Sequence, residues 1–73
     1  MNWIVEVVRE NGSVNQWIGI RNDGCFGKVD FIERAFQTDE EDAEDLASAY
    51  SDYYRSKGYP ERTQAVLYEE KSS

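Results

Sequence analysis

Between Thr38 and Pro60 the sequence carries the signals of one amphipathic helix together with both of its ends. Thr38-Asp39-Glu40-Glu41 reads as a capping box, with Thr38 as N-cap and Glu41 reaching back to it. Ala43, Leu46, Ala47, Tyr50, Tyr53 and Tyr54 recur at about 3.6-residue spacing and form a stripe wide enough to lie on a sheet. Arg55 and Lys57 suit the last turn, Gly58 the left-handed residue after it, and Pro60 the stop. The spacing predicts a helix over 39–57 with a sheet beneath it.

The rest of the chain supplies that sheet. Residues 2–9 are β-branched and aromatic, and Asn11-Gly12 predicts a two-residue type I′ hairpin returning through 14–21. That loop would set Glu10 against Ser13, Val7 against Gln16, Val5 against Ile18 and Trp3 against Ile20. Trp3, Val5, Val7, Val14, Ile18 and Ile20 then share the core side, and Ile4, Glu6, Val8, Asn15 and Trp17 the reverse. Asn22-Asp23-Gly24 and Gly27 mark a turn region around Cys25 and Phe26. Residues 29–37 fit a short helical turn and then an extended stretch reaching Phe36. Residues 62–69 form a last strand, with either Ala65 and Leu67 or Val66 and Tyr68 inward, and the tail 70–73 is expected to fray. The expected architecture is α+β over one domain, 1–73. A small antiparallel sheet in β-β-β-α-β order carries one helix on one face.

Fifteen acidic residues against eight basic ones give a formal net charge of −7, and the basic residues form no run. Phosphate contacts need clustered Lys and Arg, so direct nucleic-acid binding is disfavoured, as is an anionic membrane. The favoured partner is a protein with a basic surface. A single cysteine and an opening segment without a basic n-region lead to the expectation of a cytoplasmic protein.

Six of those carboxylates fall in the seven positions 39–45. Acidic residues belong in a first helical turn, where the macrodipole favours them, and a solvated acidic face aids solubility. Yet Glu44, Asp45 and Asp52 lie at or beyond the end of that turn. Glu41 and Asp45 form a like-charged i,i+4 pair, and no cation stands between Arg34 and Arg55. Two readings stay open: a merely soluble face, or a negative surface that meets a basic partner through Glu40, Glu41, Asp42, Glu44, Asp45 and Asp52.

Other chemistries find little support. Residues 22–33 place Gly27, Val29 and Glu33 at EF-hand positions, but Gly24 and Phe26 stand where side-chain ligands belong. No metal or cofactor is expected. The chain has no histidine, so Cys25 would lack an imidazole to activate it and is expected to be a small packed apolar group. No enzymatic activity is expected. Trp17, on the reverse sheet face between Ile4 and Val8, offers an alternative partner or homodimer patch unless the chain itself covers it.

The hairpin Trp3 through Ile20, and the stretch Glu33-Arg34-Ala35-Phe36-Gln37-Thr38-Asp39-Glu40-Glu41-Asp42-Ala43-Glu44, give the chain its resemblance. It resembles the small acidic single-domain proteins encoded by bacteriophages and other mobile elements, among them anti-restriction and anti-CRISPR inhibitors. The resemblance implies an inhibitor that blocks the DNA-binding surface of a nuclease complex, by DNA mimicry or by steric obstruction. The outward carboxylates Glu41, Glu44, Asp45 and Asp52 would then stand in for phosphates.

Overall fold

A computed structural model describes residues 2–68. The elements run β1 (Asn2–Val8), β2 (Val14–Ile20), β3 (Phe26–Val29), a 3₁₀ turn (Ile32–Arg34), α1 (Glu40–Ser56) and β4 (Arg62–Tyr68). The four strands form one antiparallel sheet in the order β3-β2-β1-β4, with α1 packed on one face. This is the expected α+β class. The third strand is Phe26–Val29, within the segment predicted as turn. The predicted helical turn is Ile32–Arg34. Glu69 and the tail 70–73 lie outside the described residues.

The hairpin departs from the two-residue loop. Asn11 does not take a positive φ, and only Gly12 does, at 87°. Gly12 N–H donates to Arg9 O at 2.8 Å and Arg9 N–H to Ser13 O at 2.9 Å, which leaves a three-residue loop. The Asn11 side chain explains its conformation, because its Oδ1 accepts from Ser13 N–H at 3.0 Å in an Asx turn. The extra loop residue is absorbed by a bulge between Val7 and Val8. Val7 still faces Gln16 but Val8 faces Val14, so Asn15 is the supernumerary residue. Val14 is thereby moved off the core side, a correction to the expected facing.

Beyond Glu6↔Trp17 the ladder between β1 and β2 ends. The expected pairs Val5–Ile18 and Trp3–Ile20 do not form, because the segment after the 3₁₀ turn inserts between the two strands. Ala35 bridges Gly19 and Thr38 bridges Trp3. Phe36 N–H donates to Ile18 O at 3.0 Å, and Thr38 N–H donates to Trp3 O at 2.9 Å. A fork in the sheet is thus filled by a backbone wedge, and every backbone group named finds a partner.

β4 pairs with β1 along its full length and settles the facing left open by the pattern. Ala65 packs on the core of Val5, Val7, Ile18, Ala43, Ala47 and Tyr54, and Val66 faces Ile4 on the reverse side. Tyr53, expected in the core stripe, is half exposed on the flank of α1. One polar residue enters the core. Thr63 is buried, and its hydroxyl donates to Ala47 O. Ser51 Oγ then donates to Thr63 Oγ1 at 2.7 Å and accepts from Thr63 N–H at 3.0 Å. This knot ties helix to edge strand. Thr63→Val keeps the shape and leaves Ser51 its bonds to the main chain of residue 63, at 3.1 Å to the carbonyl and 3.0 Å from the N–H, but removes the hydroxyl from the Ala47 carbonyl, and should cost about 1 kcal/mol. Urea denaturation checks this, and an unchanged midpoint would contradict it.

The reverse face has its own small core. Ile4, Val8, Val29 and Ala35 are buried there. Cys25, expected as a packed group, is exposed in the turn before β3. The Asp23 carboxylate accepts its N–H at 3.0 Å, so turn chemistry, not packing, sets its place.

Candidate functional site

The acidic helix forms as predicted at its C-terminal end and with a shift at its start. Asp39, not Thr38, is the N-cap, and its carboxylate accepts from Asp42 N–H at 2.9 Å. Thr38 cannot serve because its amide and carbonyl are both committed to Trp3 in the wedge. Glu41 therefore makes no capping bond back to Thr38. At the far end Tyr59 N–H donates to Tyr54 O at 2.9 Å and Gly58 N–H to Arg55 O at 3.1 Å, with Gly58 at φ 76°. Those two bonds are a Schellman motif, and the accompanying contact is the Tyr54–Tyr59 ring pair at 6.0 Å.

Between these ends Glu40, Glu41, Asp42, Glu44, Asp45 and Asp52 are all exposed. Among the described residues, only Asp52 of the six meets a cation, Arg55 Nη1 at 3.5 Å, with both side chains largely in water. Such a contact is worth little. Asp42 is engaged more locally, taking the Thr38 hydroxyl at 3.4 Å. The other cations are placed elsewhere. Lys28 is bound to Glu61 at 2.6 Å, and Lys57 stands over the Tyr53 ring. The helix thus presents a run of anions that the described part of the chain does not neutralise.

The alternative patch fares differently. Ile4 is 2% and Val8 3% exposed, so neither offers surface to a partner, a correction to their reading as contact residues. Trp17 is half-buried, with its indole Nε1 shielded and without a hydrogen-bond partner. The cover comes from the chain. The Arg34 carbonyl lies where a Gly19 side chain would project, which puts the 3₁₀ turn over this face.

A second feature was not legible in the sequence. On the flank of α1, Asp42, Asp45, Leu46 and Ala49 line a shallow recess with Phe26 and Phe36. The two phenylalanine rings meet edge to face at 5.3 Å and remain partly exposed. The one available signal was that neither Phe26 nor Phe36 had a defined place in the predicted core.

Lys28, Tyr54 and Glu61 form a clasp between β3, α1 and the start of β4. The ammonium sits 5.0 Å from the Tyr54 ring centroid. Its hydrogen bond and charge hold the Glu61 carboxyl below its ordinary 4.5. Burial, with Tyr50, Glu61 and Tyr53 adding to it, pushes the Tyr54 hydroxyl up from 10.0 to about 12. Tyr54 therefore contributes its full stability below its ordinary value and loses it as pH rises through about 12. Tyrosinate absorbance should show a late-titrating component that disappears in Tyr54→Phe and whose ionisation accompanies unfolding. Half-ionisation of the Tyr54 phenol at about pH 10 with the fold intact would contradict this.

Among the described residues no three acidic or thiol side chains converge to hold a metal ion, and no helix is long and apolar enough to cross a membrane. The chain matches no protein-family model, and neither the curated proteins nor the solved structures contain a match to it.

Proposed function

We propose that this protein is a non-catalytic inhibitor that sets the acidic face of α1 against a basic, nucleic-acid-binding surface of a host defence complex. The observation that carries the reading is the exposure of six carboxylates, five of them without a salt bridge among the described residues. Five of the six anions lie between Glu40 and Asp45, a rise of about 7.5 Å, or one per roughly 1.5–2 Å, and Asp52 follows about 10 Å further on. A DNA duplex carries one charge per about 1.7 Å of axis, so a surface shaped to phosphates meets a comparable charge density over the first turn and a half of α1. The six do not all face one way, which favours a target that wraps the helix or contacts its outward edge through Glu41, Asp45 and Asp52.

The homodimer alternative around Trp17 has less support, since its aliphatic neighbours are covered. The test uses purified restriction and CRISPR nuclease complexes carrying labelled DNA. Added in excess, the protein should displace DNA from at least one complex and stop its cleavage. If every complex in the panel keeps its DNA at saturating protein, the reading fails.

A further inference from the structure

The helix does not cover the whole inner face of the sheet. It packs on β4 and β1, and the inner side chains at the β2–β3 edge extend beyond it. Ile20 and Phe26 are each 49% exposed, and Phe36 36%. The groove is the recess of Phe26, Phe36, Leu46 and Ala49; a second hollow, lined by Arg21, Tyr50 and Tyr53, adjoins it and shares Phe26 and Ala49 with it. Aromatic surface held in a groove is the usual centre of a protein contact, because covering it removes apolar area from water at little entropic cost.

The rim decides what fits. Asp42 and Asp45 border the groove, and neither has a salt bridge among the described residues. A second copy of this chain would bring those carboxylates together, with a formal charge of −7 on each partner. A nucleic acid is repelled for the same reason. A protein segment that carries a large apolar side chain flanked by Lys or Arg satisfies both floor and rim. We propose that the groove of Phe26, Phe36, Leu46 and Ala49 is the anchor site of this protein, taking one aromatic or long aliphatic side chain from a basic segment of its target. This rests on the acidic-face reading above and adds the source of its specificity, since charge alone steers and the buried anchor holds.

The test uses the full chain and two synthetic helical peptides with equal lysine content, one with a phenylalanine stripe and one with serine in its place. At physiological salt the phenylalanine peptide should bind about tenfold tighter or better. Ala49→Gln, at an exposed helix position, should erase that advantage while leaving the serine peptide's affinity unchanged. Phe26→Ser should do the same from the other wall. Equal binding of the two peptides overturns the groove and leaves the acidic face standing. An advantage that persists in both variants also overturns the groove. If neither peptide binds, both readings fall. If sedimentation shows wild-type dimers that Ala49→Gln dissociates, the groove holds a second copy and the proposal is wrong.

Discussion

Gly19→Ala is expected to remove most of the stability of the fold. The added methyl would overlap the carbonyl oxygen of Arg34 and lie 2.9 Å from its carbonyl carbon and 3.0 Å from Ala35 Cα. All three atoms are backbone, so no side-chain rotation relieves the clash. The segment cannot retreat cheaply either. Ala35 N–H donates to Ile32 O, Phe36 N–H to Ile18 O, and Thr38 is bonded to Trp3 in both directions. Withdrawing it would open the fork in the sheet and displace the residue before the Asp39 cap. Overpacking and the loss of two or three backbone hydrogen bonds together cost about 3–5 kcal/mol. A domain of this size has a margin of only about 5 kcal/mol, so most of it is consumed and the melting temperature should fall by more than about 10 °C. Gly12→Ala is the control. Gly12 has φ 87° but open space around it, so the change should cost only about 1 kcal/mol through strain. Thermal unfolding by circular dichroism separates the two. A Gly19→Ala melting temperature within a few degrees of wild type would contradict the wedge.

The triple change Glu41→Gln, Asp45→Asn and Asp52→Asn should weaken the complex with the target about 30- to 100-fold and leave the fold intact. Exposed charge contacts contribute up to roughly 1 kcal/mol each, and three lost together give about 2–3 kcal/mol. Stability should hold or rise slightly. Removing the Glu41–Asp45 repulsion returns about 0.2–0.5 kcal/mol, while the Asp52–Arg55 contact given up is long and solvated. A matched control removes the same charge elsewhere, through Glu10→Gln, Asp23→Asn and Glu33→Gln. All three positions are exposed, and asparagine at 23 can still accept from Cys25 N–H. If the two triple variants bind equally, net charge matters and the helix face does not.

What the sequence made legible was local chemistry. Gly58 ends α1 because a left-handed residue is needed there and the two Schellman bonds form around it. The β-branched and aromatic run in 2–9 and the stripe from Ala43 to Tyr54 announced a sheet with a helix on it. The misreadings share another origin. Asn11-Gly12 identified a turn, but whether one or two residues go left-handed depended on the Asn11 side chain, and the extra residue then turned Val14 over. Thr38 carried the stronger capping pattern, yet its backbone was taken by a strand 35 residues away in sequence. Gly19 is the opening through which another segment passes. Such long-range backbone insertion leaves no periodicity to read. The candidate site divides in the same way: the carboxylates were visible as a run, whereas Phe26 and Phe36 meet only because the wedge carries one to the other.

Anions on the outward face of α1 are proposed to drive association with a basic surface. This is tested most directly by the salt dependence of the association constant between the protein and a nuclease complex from which it displaces DNA. The account predicts a steep fall in log K with log salt for wild type and a distinctly shallower one for the Glu41, Asp45 and Asp52 triple variant. A flat response, or one with the same slope in both proteins, would contradict it.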